Sequence, residues 1–424
     1  NPHSPKNRRG FRYIPCTASP LLPLISYLQT EVPPFQPRFA FEDTSAQVHL
    51  TRSGTTLTTA KGFRMARANV CAREGNWYYE CKIIRGINSP ALTAATPPPL
   101  TFASQNPPTT ASIGGGDAHV RLGFARREAP LDAPVGFDPY SYGLRDVNGE
   151  KVHCSRPSTF LSQSLVTGDV IGFQIYLPPL AQQRADLLSA LLPSSTTAHA
   201  AAVSVLQSGD AIRDRIPIRY KNQLYFEQFE YQPAKELEEY MNPSTSSAPR
   251  NPPIAMQQLK GSFIRVYKNG KLVGTPWTDL LAFLPPCSKP NSAVGGRELD
   301  DGFVGYYPAV SVYRGGAVEV NFGPEWWYSP DVPQDVDTEM KGTGENEGDS
   351  ARLPPMRPFS DRYNEQIAED IVYDLIDEVD CFFTTDLMGL GLAGAAQGTS
   401  GAKKGGRKTG GGKKEIKEME LEEE

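Results

Sequence analysis

VRLGFARREAPLDAPVGFDPYSYGLR, residues 120–145, is the stretch from which the fold is read. It opens as a strand, turns through a loop rich in Pro and Gly, and ends in alternating aromatics. Arg121 and Arg145 are permanent cations set among Pro134, Phe137, Tyr140 and Tyr142. A guanidinium fork beside apolar rings suits capture of a carboxylate or phosphate carried by a partner peptide. The plainer reading is a strand with solvated charges, because exposed charge is the default.

The flanking segments extend the same rhythm. From Phe39 onward, VHLTRSG, TTLTTAKGFRMARAN and GNWYYECKII alternate with period two between Gly turns. In the last of these Trp77, Tyr79, Cys81 and Ile83 point one way and Tyr78, Glu80 and Lys82 the other. KVHCSR, GDVIGFQIYLP and IPIRYKNQLYFEQF continue the pattern. FIRVYKNGKLVGTPW reads as a hairpin around Asn269-Gly270, a dipeptide that tolerates positive φ at both central turn positions. GYYPAVSVYRGGAVEVNFGPEW supplies two more strands. Many short strands with regular turns predict a mainly β protein, an antiparallel β-sandwich over residues 39–330. Segments 86–118, 179–212, 233–258 and 285–300 break the alternation and read as loop insertions. The first is placed between strands that would otherwise form a hairpin, and ADLLSALL in the second is a candidate short helix.

The ends differ from the middle. Residues 1–38 are Pro-rich and irregular, with a basic cluster at Lys6, Arg8 and Arg9. LLPLISYL at 21–28 is apolar, interrupted by Pro23, and is expected to pack as an irregular segment. A polar linker spans 331–356. Over 357–383 the period changes to that of a helix, with Pro358 able to open it and Ser360 as N-cap. Ile367, Ile371, Leu375 and Val379 recur every four residues, and Ala368 and Val372 widen the stripe. Asp and Glu occupy the rest; the helix either packs on its own sandwich or is offered to a partner's apolar groove, and the second would leave its acids in water. Residues 384–424 form a Gly/Lys/Glu tail that reads as solvated.

Composition narrows the classes. The chain has 424 residues, 39% hydrophobic and 21% charged, with a formal net charge of −5. A core is available, and the charge implies neither nucleic acid nor membrane. No apolar run is long enough to cross a bilayer. Six cysteines at 16, 71, 81, 154, 287 and 381 contain no CxxC and no zinc spacing, which suits buried thiols in a reducing compartment. Histidines 3, 49, 119, 153 and 199 lack a nucleophile or carboxylate partner in sequence, and no P-loop, GxSxG or dinucleotide fingerprint occurs. His153 and Cys154 are adjacent, but strand neighbours face opposite sides and make a poor dyad. No catalytic residue, metal site or cofactor is expected. The chain begins at Asn1 rather than Met, as a trimmed N-terminus would.

Four blocks in order resemble a SPRY domain: KGFRMARA with GNWYYE, VRLGFA, GDVIGF, and YYPAVSVY with VNFGP. More narrowly, APVGFDPYSYGLR and IAEDIVYDLIDEVD resemble the Ash-two/Bre-two subunit of Set-one/trithorax (COMPASS) histone H3 lysine methyltransferase complexes. The likeness spans about residues 39–176, 213–232, 262–324 and 357–380, and the low-complexity insertions are like those of fungal members. It implies a nuclear, non-catalytic scaffold subunit of a histone H3 lysine 4 methyltransferase complex. It implies a pocket of Phe63, Arg121, Pro134, Phe137 and Arg145 that grips an acidic segment of a WD-repeat subunit resembling retinoblastoma-binding protein five. Phe63 and Phe137 stand where animal members carry tyrosine, so two hydroxyls are missing while ring area and both cations remain. The terminal helix, through Ile367, Ala368, Ile371, Val372, Leu375 and Val379, is implied to bind a Dumpy-thirty-type helical homodimer. The Set-one methyltransferase and its complex are the implied further partners. A weak nucleosome or DNA contact, where one is made, falls on the basic N-terminal residues or the tail, and no membrane is involved. The alternative is a SPRY peptide-recognition adaptor of another complex such as a ubiquitin ligase; the closely spaced Cys/His ligands of a RING are absent.

Overall fold

Alternation decides the faces of the longest strand. In Gly75–Arg85 the side chain of Tyr79 turns inward against Phe124 and Phe173, at ring centroid distances of 5.3 and 5.5 Å. Its neighbour Tyr78 turns outward against Tyr267 and Trp326. The structure, a computed structural model, describes residues 5–6, 12–22, 24–25, 27–88, 118–191, 203–207, 215, 217–226, 231, 237, 257–284, 300–331, 353–389 and 417–418.

The strands in chain order are β1 (Ile14–Pro15), β2 (Phe39–Thr44), β3 (His49–Leu50), β4 (Thr56–Thr58), β5 (Arg64–Ala68), β6 (Gly75–Arg85), β7 (His119–Ala125), β8 (Ser141–Arg145), β9 (Lys151–His153), β10 (Arg156–Ser158) and β11 (Val170–Leu177). After helix α1 (Leu180–Leu191) come β12 (Pro217–Tyr220), β13 (Gln223–Phe226), β14 (Gln258–Lys268), β15 (Lys271–Leu281), β16 (Tyr307–Tyr313), β17 (Ala317–Asn321) and β18 (Arg357–Pro358). Helix α2 (Phe359–Gly389) and the short β19 (Lys417–Glu418) complete the order.

Two compact units divide the chain. The larger, residues 37–210 and 231–362, holds two sheets, antiparallel except for the parallel pairing of β18 with β6. One has seven strands in the order β10-β9-β8-β7-β16-β5-β2, the other seven along the path β15-β14-β11-β6-β17-β4-β3 with β18 pairing to the start of β6 as the eighth. Apolar residues at alternate positions, including Val120, Leu122, Phe124, Ile171, Phe173 and Ile175, are fully buried. Phe359, first residue of α2, enters this aromatic core against Trp77, Tyr79 and Phe124. A mainly β antiparallel sandwich with a C-terminal helix is thus what forms. The Asn269-Gly270 hairpin joins β14 to β15 with φ of 49° and 82° at the two turn residues, as the dipeptide predicts.

Several expectations are corrected. β6 and β7 lie in different sheets, so segment 86–118 bridges the sheets and does not interrupt a hairpin. Within the alternating stretch IPIRYKNQLYFEQF, residues 217–226 do form a hairpin, β12–β13, but it pairs with β1 outside the two large sheets and belongs to the smaller unit. Its alternation is real; what periodicity alone does not reveal is which sheet a short strand joins. Within residues 1–38, Ile14–Pro15 is regular strand, with Tyr13 packed on Ile218 and Tyr225. The ADLLSALL helix is present as α1. Helix α2 runs past 383 to Gly389. Ser360 lies inside its first turn; its amide donates to the Phe322 carbonyl and its buried hydroxyl has no partner, so it is not the cap expected. Most of the insertions, the linker 332–352, Arg8, Arg9 and nearly all of the tail lie outside the described residues.

Candidate functional site: an arginine pair and an inverted helix

Register builds the first site. Arg121 of β7 stands opposite Arg145 of β8 on one side and Ser311 of β16 on the other. Directly opposed residues in antiparallel strands share a face, so all three project from the outer side of the seven-stranded sheet. Val120, Leu122 and Phe124 take the inner side. The loop between β7 and β8 folds back over that outer face. Its residues Ala129, Val135 and Tyr140 pack with Met65, Ala125 and Ala309. The Val135 amide donates to the Ser311 hydroxyl at 3.0 Å, which fixes Pro134 one residue from the position opposite Arg121. The loop crosses so closely that a Cβ on Gly143 would collide with the Val135 carbonyl. Gly136, at φ 86°, lets the chain turn there, and a side chain would meet the Val152 carbonyl at 2.5 Å.

The two cations differ in their company. Arg145 donates to Glu150 at 2.9 Å and keeps a side-chain exposure of 36%. Arg121 lies with its guanidinium carbon 5.0 Å from the centre of the Phe63 ring, and Phe63 in turn packs on Tyr313 at 5.0 Å. The Nε of Arg121 is buried and has no hydrogen-bond partner. Burial, followed by the like charge of Arg145, lowers the Arg121 pKa, while Asp146 and Glu150 pull it the other way. An arginine still carries its proton under such a shift, so what the site lacks is an acceptor. A carboxylate or phosphate oxygen supplies one.

The structure therefore brings Phe63, Arg121 and Arg145 together and anchors Pro134 beside them. Phe137 is 44% exposed; its amide donates to Pro134 and its carbonyl accepts from the Ser155 hydroxyl. Among the described residues no ring contact or hydrogen bond joins Phe137 to Phe63 or either arginine. Sequence reasoning missed Tyr313, Ser311 and Glu150, which belong to other strands or turns and reach the site only through pairing. His119, another neighbour, accompanies Asp146, whose carboxylate also accepts the Val120 and Val147 amides.

The second site is α2, and its amphipathicity is inverted. Ile371, Val372, Leu375 and Val379 are about half exposed, and Ile367 is intermediate. Ala368 is exposed as well. Ile376 and Phe383, which the four-residue spacing from Val372 and Val379 could have added, extend the apolar face, as does Phe382. The acids do not lie in water as expected: Asp370 and Asp374 are buried, and Glu378 is half-buried. The outward apolar face is 48–60% exposed from Ile371 to Phe383, so within this chain nothing described covers it.

Other chemistry is thin. His153 stacks on Tyr142 at 4.3 Å with its Nδ1 2.9 Å from the Ser141 carbonyl oxygen, while burial pushes the Cys154 thiol up to about 11. A protonated thiol beside a histidine engaged elsewhere is no nucleophile. Among the described residues no cluster of three or more His, Cys, Asp or Glu could hold a metal ion, and no helix is long and apolar enough to cross a membrane.

The features described are an antiparallel β-sandwich that carries an arginine pair on one sheet and, in the other unit, a helix with an exposed apolar face. No family model matches the chain. A relative from Colletotrichum higginsianum, COMPASS component cclA, is 46% identical over 88% of this chain and 67% of its own length. Set1 complex component ash2 of Schizosaccharomyces pombe is 43% identical over 89% of this chain and 46% of its own length. COMPASS component BRE2 of Saccharomyces cerevisiae is 27% identical over 89% of this chain and 88% of its own. The chain belongs to the Ash2/Bre2 family. It spans between about half and two thirds of the length of the first two relatives. A solved human SPRY domain superposes at a TM-score of 0.30 with 13% identity, covering 66% of this chain and 98% of that one, which is too loose to carry weight.

Proposed function

We propose that the chain is a nuclear, non-catalytic scaffold subunit of a Set1/COMPASS histone H3 lysine 4 methyltransferase complex. The relatives' names as complex components support the assembly. In this reading Phe63, Arg121, Pro134, Phe137 and Arg145 grip an acidic segment of a WD-repeat subunit. Ile367, Ala368, Ile371, Val372, Leu375 and Val379 dock a Dumpy-thirty-type helical dimer.

The observation that carries the reading is the exposed apolar face of α2. Several large side chains lie open to water along one side of a helix whose polar side is occupied. Burying one such side chain contributes about 1.5–3 kcal/mol, so a groove covering several gives stable association. The test is Ile371→Glu with Leu375→Glu, mixed with the helical dimer and followed by size-exclusion light scattering. Loss of the complex with an intact sandwich is the expected result. A persistent complex, or an unfolded sandwich, overturns it.

A further inference from the structure

The polar face of α2 is covered by a short stretch of the chain's own N-terminal segment. The Gln29 and Thr30 amides donate to the Asp374 carboxylate at 2.5 and 3.2 Å, and the Thr30 hydroxyl adds a third bond at 2.7 Å. One turn on, the Leu24 and Ile25 amides donate to Glu378 at 3.1 and 3.0 Å. The Gln29 side-chain amide reaches Asp377 at 2.6 Å, and Tyr363 donates to Glu31 at 2.7 Å. The stretch is itself held: the Leu28 amide donates to the Thr17 carbonyl, and Tyr27 is buried with its ring 5.7 Å from that of Phe226.

Acids four residues apart on one helix face repel and loosen the helix, and a single helix in water is marginal. Backbone amides directed at carboxylates remove both problems, because bonds to a charged acceptor are about twice as strong as neutral ones. Main-chain donors also fix rotation, since they meet the acids only when the apolar side faces away. We propose that residues 24–25 and 27–31 are a positioning strap that keeps α2 folded and its Ile371–Leu375–Val379 face outward, so that binding of a helical dimer depends on residues it does not touch. This rests on the helix-docking reading above and adds how that surface is set.

The test uses the full chain. Gln29→Pro deletes the strap amide bonded to Asp374 and leaves the helix sequence unchanged; Asp374→Ala with Glu378→Ala removes the acceptors. Hydrogen exchange of residues 24–30 and 366–380 and affinity for a recombinant Dumpy-thirty-type dimer are read together, with strands β7 and β16 as the check on the sandwich. Both variants are expected to speed exchange in the strap and the helix and to weaken the dimer by about tenfold, as a smaller folded fraction requires. Ile371→Glu should abolish dimer binding while leaving strap protection as in the wild type. Unprotected wild-type strap amides, or strap variants with wild-type exchange in the helix or wild-type affinity, overturn the strap. If the wild type does not bind the dimer, the docking reading fails, and the coupling of exchange between strap and helix alone decides the strap.

Discussion

Two arginines on the same face of the seven-stranded sheet have opposite fates. Arg67 of β5 donates twice to Asp43, at 2.7 Å each, and its remaining nitrogen bonds the Arg126 and Ala129 carbonyls at 3.0 and 2.6 Å. It is 2% exposed and ties the root of the 126–140 loop to the sheet. Arg121, two strands away, has an aromatic ring beneath it, a like charge beside it and a buried Nε without a partner. A guanidinium that completes its bonds inside the chain is structure. One with a buried Nε left unbonded beside a half-exposed second cation has room for an outside acceptor, which is the role proposed for it above.

The largest expected effect tests the structural side of that contrast. Arg67→Ala leaves Asp43, whose side chain is only 16% exposed, with Arg127 at 4.0 Å as its remaining cation. Burial pushes the Asp43 carboxyl up, but the charge and hydrogen bonds of Arg67, with help from Arg127, outweigh it and hold the pKa below the usual value. Removing one partner of such a pair costs about 3–5 kcal/mol. The variant should show a markedly lower urea midpoint. A midpoint like that of the wild type would mean the pair is replaceable and the contrast with Arg121 is empty.

The functional side should give the reverse signature. Arg121→Ala or Arg145→Ala should weaken binding of an acidic peptide from the proposed WD-repeat partner by roughly one to two orders of magnitude, from about 1.5–3 kcal/mol per charge-assisted fork. Stability should move by less than about 0.5 kcal/mol, since neither side chain closes a buried network. Calorimetry on the double mutant checks it: unchanged affinity would remove the pocket assignment.

That contrast was only half legible in the sequence. Alternation in VRLGFA and SYGLR separates Arg121 and Arg145 from the core, and the Asn-Gly turn places one hairpin outright. Nothing in a local pattern says that Arg67 meets Asp43, or that Phe63 lies under Arg121, because those pairs join strands distant in the chain. The same limit explains α2. Its periodic stripe is visible residue by residue, yet the burial of Asp374 depends on a segment about 345 positions away. Periodicity reports that a helix has two faces; which face turns inward is decided by donors that propensity does not see.

The smallest effect sharpens the comparison at Asp138, a carboxylate on the loop that Arg67 roots. Its Oδ1 accepts the Tyr140 amide at 2.8 Å and the Ser141 hydroxyl at 3.0 Å, while Oδ2 is buried without a partner. Burial raises its pKa from 3.8 to about 6, against the pull of those two bonds and of Arg67. A carboxyl whose folded pKa lies above its unfolded one binds protons more tightly when folded. Its stabilising contribution is complete below the unfolded value and is lost as pH rises through the folded one. Asp138 should therefore make the chain less stable as pH climbs from about 4 to about 6, opposite in sign to Asp43. Asp138→Asn keeps the shape and accepts the same two bonds without a charge, so it should flatten that slope. At pH 7 it should gain on the order of 1 kcal/mol, limited because its amide inherits the unpartnered place of Oδ2. Urea midpoints of the two proteins across pH 4–7 measure it. If the difference between them does not grow with pH, the carboxyl is not held protonated by burial, and the loop over Arg121 is wetter than this geometry requires.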